Sequence, residues 1–274
     1  MPSYKIVATD LDGTLLNDAH TVSEENFNAI RTLTKKGIHC VVATGRTYSE
    51  IPEEIRGCKD FRYMIHANGA VVLDRESGER ISACIPNAVA CRMMDIFKDY
   101  AVHMTARNNG MCYYDGRYPI REWQEYFRID PAHVSCVGEF GTPIANFDAF
   151  VRGMEEIEVF SLYFRDDTEQ KECGERLKEI DGIYITGTSA TNFEIFDRGA
   201  GKDNALLRLA SHLGVPIEET MTLGDSENDL AMTRAAGLGL ATANAQSALL
   251  SASDGTVCSN NEHVMQYVLE KYFS

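Results

Sequence analysis

The chain has 274 residues, of which 44% are hydrophobic, and its 41 acidic and 26 basic side chains give a formal net charge of −15. This length and composition predict a globular protein of one or two domains with a sizeable core. The negative charge argues against a nucleic-acid backbone or an anionic membrane as partner, because both would be repelled. A small phosphorylated ligand remains compatible, since a local pocket of cations can outweigh the distant field. We predict no obligate protein partner.

The cysteines and the apolar segments bear on the cellular compartment. None of the eight cysteines forms a C-x-x-C pair, so we expect free thiols and a reducing compartment. No charged-then-apolar leader precedes the first strand-like run. No apolar stretch reaches the length of about 20 residues that a membrane-spanning helix needs. These features predict a cytoplasmic protein.

Five short apolar runs predict buried strands of a parallel sheet. They cover residues 5–9, 39–43, 63–67, 220–223 and 238–241. Helical patterns follow the first run at residues 23–36 and the fourth run at residues 227–236. Helices that alternate with buried strands predict βαβ units. The fold class that follows is α/β, with a Rossmann-like doubly wound parallel sheet as its core.

The middle of the chain has a different pattern. Between about residue 85 and residue 189, amphipathic and aromatic strands alternate with helical segments. This pattern predicts an α+β domain with an antiparallel sheet. The parallel pattern resumes afterwards, so we expect an insertion. The predicted domains are a core of residues 1–84 and 190–274 and an inserted cap of residues 85–189.

Polar residues or glycine follow each of the five predicted core strands. In chain order they are Asp10 and Asp12, then Thr44, Gly45 and Arg46, then Asn68 and Gly69, then Gly224 and Asp225, then Thr242 to Asn244. The carboxyl ends of strands in a doubly wound sheet share one edge, where ligands bind. Such residues also end strands for turn reasons alone. Five in succession, with two carboxylates at the first, favour a shared site.

Asp10 and Asp12 suggest phosphoryl chemistry. A carboxylate at the end of a buried strand can attack phosphorus if its target is held in line. A second carboxyl two residues on can protonate the leaving oxygen and then activate water. A calcium loop also begins D-x-D, but it requires Gly at its sixth position and Glu at its twelfth. Leu15 and Thr21 occupy those positions here, which rejects the calcium loop.

Asp225, in the run GDSENDLAM, is the candidate partner of Asp10 in a magnesium site. Magnesium takes one or two carboxylates together with waters and substrate phosphate. Asp10, the backbone carbonyl of Asp12, and Asp225 would supply such a partial shell. Asn228 and Asp229 follow closely and could position Asp225, a metal-bound water, or a lysine.

Thr44 and Lys202 are the candidate phosphate contacts. The hydroxyl of Thr44 can donate to a phosphate oxygen. The ammonium of Lys202, at the start of a helical pattern, can balance the nucleophile and the transferring phosphoryl group. An isolated lysine is usually a solvated charge, but this one lies between the insertion and the fourth core strand.

Four motifs in this order resemble those of the haloacid dehalogenase superfamily of phosphohydrolases. They are DLDGT at residues 10–14, ATGR at residues 43–46, Lys202, and GDSEND at residues 224–229. The insertion is similar to the α/β cap of the Cof-type branch, subfamily IIB. NGA at residues 68–70, NFEIF at residues 192–196 and the stretch at residues 241–245 that ends in Asn-Ala add to that match. The sequence departs from the family at Asp203, where glycine is common, and at Thr242-Ala243, where Met-Gly is usual.

The resemblance implies a role for each candidate residue. Asp10 would be the nucleophile and Asp12 the general acid/base, while Thr44 and Lys202 bind phosphate. The metal, Mg²⁺, would be held by Asp10, Asp12 and Asp225. The complete list of further candidates is Gly45, Arg46 and Asn68 on the substrate side, and Asn228 and Asp229 in support of the metal.

These residues predict a magnesium-dependent phosphatase that acts on small phosphorylated metabolites, sugar phosphates above all. A phosphomutase shares the same nucleophile and remains an alternative. A phospho-accepting receiver or a sugar-phosphate sensor without catalysis is an alternative of another class. A receiver needs only about one small domain, without an insertion of about 100 residues. The intact pair Asp10 and Asp12 also argues against a silent sensor.

Overall fold

The computed structural model describes residues 4–187 and 192–274, which divide into two compact units. The core unit comprises Met1–Arg46, Pro52–Ser82 and Ala200–Ser274. The inserted unit comprises Thr47–Ile51 and Ala83–Gly199. Each unit has its own sheet and its own apolar core.

From residue 4 onward, the first part of the core unit contains five strands and two α-helices. They are β1 (Ile6–Thr9), α1 (Glu24–Lys35), β2 (His39–Ala43), α2 (Glu53–Gly57), β3 (Tyr63–His66), β4 (Val71–Asp74) and β5 (Arg80–Ser82). Helix α1 begins after Ser23, whose hydroxyl accepts a hydrogen bond from the N–H of Asn26 at 3.2 Å. Such a cap satisfies one of the free N–H groups at the helix start.

Within the part of it that the structure describes, the inserted unit contains eight strands and five α-helices. They are β6 (Ile85–Pro86), α3 (Asn87–Phe97), β7 (Val102–Asn108), β8 (Met111–Asp115), α4 (Trp123–Phe127), α5 (Pro131–Phe140), β9 (Gly141–Ile144), α6 (Phe147–Arg152), β10 (Glu156–Ile157), β11 (Val159–Phe164), α7 (Asp167–Leu177), β12 (Ile183–Thr186) and β13 (Asn192–Asp197). Six of these strands form one sheet in the order β12-β13-β11-β7-β8-β9, antiparallel except for the pair β8 and β9. The expected α+β class of the insertion is therefore present.

The last part of the core unit completes its sheet. It contains α8 (Lys202–Leu213), β14 (Thr220–Gly224), α9 (Leu230–Ala235), β15 (Leu238–Ala241), α10 (Ser247–Ala252), β16 (Gly255–Thr256) and α11 (Val264–Tyr272). The eight strands are ordered β16-β15-β14-β1-β2-β3-β4-β5, with β1 between β14 and β2. From β16 to β3 all pairs are parallel, which confirms the predicted α/β fold with a parallel core.

Helices cover both faces of the core sheet. Ile6 and Ala8 of β1 pack in one apolar cluster with Leu206 of α8. On the neighbouring strand the thiol of Cys40 points to the other side, where it donates to the carbonyl of Ile30 in α1 at 3.9 Å. This alternation along the strands explains why they are apolar without interruption, because both faces are buried.

The compact units and the predicted domains differ at their edges. The predicted boundary between residues 84 and 85 lies close to the observed change after Ser82. The predicted boundary between residues 189 and 190 lies outside the described residues. Strand β13 follows it and pairs with β11 and β12, so the inserted unit extends to Gly199. Strands β4 and β5 extend the core sheet in antiparallel fashion, which the strand patterns did not predict.

All eight cysteines are free thiols, and four of them are buried. Among the described residues, no helix combines the length and the apolar character that crossing a bilayer requires.

Candidate active site

The order of the core strands brings their polar ends to one edge. Strands β15, β14, β1, β2 and β3 are adjacent and parallel, so their carboxyl ends point the same way. Asp10 follows β1, and Asp225 follows β14, its direct neighbour. The N–H of Asp10 donates to the carbonyl of Leu223 at 3.0 Å, which continues the pairing into the site.

Lys202 lies between two buried carboxylates. Its ammonium Nζ donates to Asp10 Oδ1 at 2.6 Å and to Asp229 Oδ1 at 2.7 Å. All three side chains are buried, with exposures of 2% for Lys202, 4% for Asp10 and 0% for Asp229. Asp10, the candidate nucleophile, and Asp229, from a distant part of the sequence, therefore both bind the lysine.

Asp225 completes an acidic cluster with Asp10 and Asp229. One carboxylate oxygen from each of the three lies within 4.8 Å of the others. Both oxygens of Asp229 are already engaged, since Oδ2 accepts from the N–H groups of Asp225 and Ser226 at 3.0 and 3.2 Å. Among the described residues, Oδ1 of Asp225 is buried and has no hydrogen-bond partner. An oxygen of this kind is a typical ligand for a hard cation.

The charges of this cluster do not balance within the protein. Three carboxylates (Asp10, Asp225 and Asp229) face one ammonium (Lys202), which leaves a formal charge of −3 + 1 = −2. Uncompensated buried charge is costly, and a divalent cation would offset it. The donor set is entirely oxygen, which suits magnesium or calcium better than softer metals. The residues therefore fit a divalent cation.

Burial changes the proton affinity of these groups. Burial raises the pKa of Asp10 to about 8, an effect that Lys202 opposes and Asp229 increases. Burial, with Asp229 as a second cause, raises the pKa of Asp225 to about 6. Burial alone would lower the pKa of Lys202, but its contacts with Asp10 and Asp229 raise the pKa above its usual value. The lysine therefore keeps its proton, and a bound cation would favour the ionised carboxylates.

Two glycines permit the close approach of the carboxylates. Gly13 has a φ of +72°, and a Cβ at this position would lie 2.4 Å from Oδ2 of Asp225. A Cβ on Gly224 would lie 2.5 Å from the Cβ of Asp229. Any larger residue would separate the two carboxylate-bearing loops.

Asp12 lies in a different environment from Asp10. Its carboxylate accepts two hydrogen bonds from Arg46, from Nε to Oδ2 at 2.8 Å and from Nη2 to Oδ1 at 2.7 Å. The Asp12 side chain is 49% exposed, so it can exchange protons with ligand and water. We expected Arg46 on the substrate side, and the motif did not indicate this paired contact with Asp12.

Three further candidate residues lie after the carboxyl ends of β2 and β3, namely Thr44, Gly45 and Asn68. Thr44 is buried, and its hydroxyl accepts from the N–H of Arg46 at 3.1 Å. A Cβ on Gly45 would lie 2.8 Å from Oδ1 of Asn68. Asn68 has a φ of +51°, and its carbonyl accepts from the N–H of Gly201, directly before Lys202, at 2.9 Å. These contacts fix the β2 and β3 ends near the lysine.

Asn228 is not part of the acidic cluster of Asp10, Asp225 and Asp229. It is exposed, and its Oδ1 accepts from the hydroxyl of Ser226 at 2.7 Å. A carboxamide at a loop surface can hold a loop or a water, and its support of the metal stays a prediction. The metal role of Asp12 also stays a prediction, since it concerns the backbone carbonyl and not the carboxylate that Arg46 holds.

Fold and site together define an α/β phosphohydrolase with an inserted α+β cap. The chain belongs to the haloacid dehalogenase-like hydrolase family, whose sequence model matches residues 7–269. The resemblance inferred from the four motifs is thereby confirmed.

Three known proteins illustrate the similarity. Phosphatase YwpJ of Bacillus subtilis is 30% identical over 97% of this chain and 99% of its own length. The 5-amino-6-(5-phospho-D-ribitylamino)uracil phosphatase YcsE of the same organism is 30% identical over 94% of this chain and 91% of its own length. The solved structure of the subclass IIB sugar phosphatase BT4131 has the same fold, with a TM-score of 0.76, 20% identity, and coverage of 98% and 99% of the two chains. The protein is a phosphoric monoester hydrolase, as the motifs predict, and this sets the receiver alternative aside.

Proposed function

We propose that this phosphatase hydrolyses small phosphorylated metabolites, sugar phosphates above all, through a covalent aspartyl-phosphate on Asp10. The observation that carries the proposal is the buried contact of 2.6 Å between Lys202 Nζ and Asp10 Oδ1. A fixed ammonium beside the nucleophile balances the negative charge that two anionic reactants would otherwise bring together. Among the described residues no donor contacts Oδ2 of Asp10, and we assign the attack on phosphorus to this oxygen.

Asp12 suits the role of general acid/base because it is close in sequence and more exposed than Asp10. It would give a proton to the leaving oxygen and then take one from the water that cleaves the aspartyl-phosphate. Arg46 would orient its carboxylate through the two hydrogen bonds. The hydroxyl of Thr44 accepts from a backbone N–H and keeps its own hydrogen for a phosphate oxygen.

The cation that we propose is Mg²⁺, held by Asp10, Asp225 and the backbone carbonyl of Asp12. Asp229 would act in support, because its oxygens already contact Lys202 and the N–H groups of Asp225 and Ser226. When bound, Mg²⁺ supplies positive charge that binds and orients the phosphate. The all-oxygen donor set and the formal charge of −2 support this choice over a softer metal.

The substrate class rests on two arguments. The net charge of −15 argues against large polyanions as substrates, because they would be repelled. A relative that is 30% identical is named for a phosphate on a ribityl chain, and this compound and sugar phosphates share a phosphate on a hydroxylated carbon chain. Ribityl phosphates and sugar phosphates should therefore both be tested as substrates. The free thiols support a reducing cytoplasm as the compartment.

A panel of phosphorylated metabolites tests the proposal. We expect release of inorganic phosphate from sugar phosphates in Mg²⁺ and loss of release in EDTA. Asp10→Asn should reduce turnover by at least about a thousandfold, because an amide is a poor nucleophile. Mass spectrometry of quenched wild type should detect one added phosphoryl group on the peptide that contains Asp10.

Asp254→Asn is the matched control, since this carboxylate contacts the N–H of Gly239 near the start of β15, at the other end of the strand. Its turnover should equal that of wild type. Turnover by Asp10→Asn at a rate near wild type would contradict the proposal. An isomerised sugar phosphate without free phosphate would favour a phosphomutase instead.

A further inference from the structure

Two loops carry the carboxylates of the candidate active site, and a third segment contacts both of them. This segment, residues 242–246, follows β15. The N–H of Thr242 donates to the carbonyl of Gly224 at 3.0 Å, and the N–H of Gln246 donates to the carbonyl of Asp225 at 2.8 Å. The backbone of the segment is therefore fixed to the loop that carries Asp225.

The side chain of Asn244 extends from the same segment to the loop that carries Asp10 and Asp12. Its Nδ2 donates to the carbonyl of Gly13 at 2.8 Å. Its Oδ1 accepts from the N–H of Asn260 at 2.9 Å, so the amide is held at both ends. Asn260 in turn donates through Nδ2 to the carbonyl of Leu16 at 3.1 Å.

The position of Gly13 controls the distance between the two loops. Its Cα lies so close to Asp225 that a Cβ would be 2.4 Å from Oδ2. The peptide group before Gly13 contains the carbonyl of Asp12, which is a proposed ligand of the cation. A displacement of Gly13 would move this carbonyl relative to Asp225. Groups that orient metal ligands in this way usually affect metal affinity.

We propose that Asn244 is a positioning residue that sets the separation between the Asp12 carbonyl and Asp225, and thereby the affinity for the divalent cation. The inference rests on the proposed metal site. It gives a physical role to the Asn-Ala pair at residues 244–245, which has no part in the chemistry proposed above. Thr242 assists, because its hydroxyl also approaches the carbonyl of Gly13 at 3.4 Å.

Titration of the full-length protein with Mg²⁺ in the absence of substrate tests the inference. Isothermal calorimetry should give a dissociation constant for Asn244→Ala that is at least about tenfold weaker than for wild type. The activity of this variant at saturating Mg²⁺ should approach wild type, while the Mg²⁺ concentration for half-maximal activity rises. Thermal unfolding in EDTA shows whether the variant is folded.

Asn244→Asp separates the two contacts of the side chain. An ionised carboxylate can still accept from the N–H of Asn260, but it cannot donate to the carbonyl of Gly13. We expect Asn244→Asp to weaken Mg²⁺ binding as Asn244→Ala does. If the residue merely anchored the Asn260 loop, Asn244→Asp would bind Mg²⁺ like wild type, and the inference would be wrong. This variant also decides the question if Asn244→Ala fails to fold.

Asn261→Ala is the matched control. Asn261 also makes two contacts, donating to Asp18 Oδ2 at 2.9 Å and accepting from the N–H of Asp18 at 3.0 Å, but it does not contact Gly13. Its Mg²⁺ affinity should equal that of wild type. Affinities within twofold of wild type for both Asn244 variants would overturn the inference and leave the proposed metal site intact. Wild type that binds no Mg²⁺ would overturn the metal site itself.

Discussion

A buried lysine in the core unit and a buried histidine in the inserted unit show two opposite effects of burial on charge. In the core unit, Lys202 contacts Asp10 and Asp229, and these contacts raise the pKa of the lysine, which keeps its charge. In the inserted unit, His103 is fully buried among aromatic rings, with the ring of Trp123 centred 4.1 Å away. Within the described part of the chain, neither ring nitrogen of His103 has a hydrogen-bond partner. Burial without a partner suppresses charge, whereas burial with one preserves it.

The difference between His103 and the acidic cluster shows which buried groups are suited to a reaction. Burial lowers the pKa of His103 to about 3, with His133 and Arg117 as further causes, so the ring is neutral at pH 7. In the core unit, the carboxyl groups of Asp10, Asp225 and Asp229 instead outnumber the one ammonium of Lys202, so their formal charges do not balance. Groups that are perturbed and partly uncompensated in this manner are typical of active sites. Three substitutions test this contrast.

Lys202→Met should have the largest effect. Loss of the ammonium should slow turnover by about a hundredfold to a thousandfold, as for removal of other groups that stabilise transition-state charge. Without Mg²⁺ it should also lower the free energy of unfolding by about 3 kcal/mol, because Asp10 and Asp229 are left buried without a cation. Steady-state kinetics and urea unfolding in EDTA measure both.

The matched control for this change is Lys59→Met, at an exposed lysine of the core unit. It should leave turnover and stability unchanged. A Lys202→Met enzyme as active as wild type would remove the basis of the contrast between the units.

Asp225→Ala should have the next largest effect. We expect turnover at low Mg²⁺ to fall by about a hundredfold and to recover in part at high Mg²⁺, because a ligand of the cation is lost while Asp10 remains. Activity measured against Mg²⁺ concentration tests this. Glu227→Ala, at an exposed carboxylate of the same loop, is the control. Wild-type activity that EDTA leaves unaffected would contradict the prediction.

His103→Phe should have the smallest effect and should concern stability alone. The pKa of His103 in the folded state, about 3, is below the ordinary value of 6.5. The contribution of the neutral ring to the free energy of unfolding is therefore fully present above pH 6.5 and is lost as the pH falls towards 3. Between pH 7 and pH 5, wild type should lose about 2 kcal/mol more of its free energy of unfolding than His103→Phe. Urea unfolding at the two pH values measures the difference.

Several other groups surround His103 and set the size of this effect. Tyr114, Tyr118, Phe127 and Tyr163 have ring centroids between 5.7 and 6.5 Å from that of His103. His212→Asn, at an exposed position in α8, serves as the control and should leave the pH dependence unchanged. Equal pH dependence in wild type and His103→Phe would refute this account of the buried ring.

The strands and the candidate residues were largely predictable, and the errors have a common cause. Buried parallel strands are continuous apolar runs, which is why β2 and β15 were predicted with their observed bounds. The predicted core segment of residues 190–274 includes the residues of β13, although this strand pairs with β11 in the inserted unit. The pairing partner of a short amphipathic strand lies far away in the sequence, so local periodicity does not identify it.

The same reason limits what could be predicted of the site. The residue types at the strand ends indicate which groups we propose for the chemistry, from Asp10 to Asp225. The motif did not indicate that Arg46 holds the carboxylate of Asp12, or that Asn244 donates to the carbonyl of Gly13. These contacts join residues 34 and 231 positions apart.

The amino-acid sequence by itself determined the family, the α/β core with its insertion, and the chemical groups available at the ends of the strands. These follow from residue type, spacing and periodicity, which are local properties of the chain. Only the tertiary structure decided which charges are paired, which carboxylate is buried and which is exposed, and which amide fixes the loop at Gly13. Such properties depend on distances between segments that are remote in sequence, and these distances arise only when the strands assemble side by side.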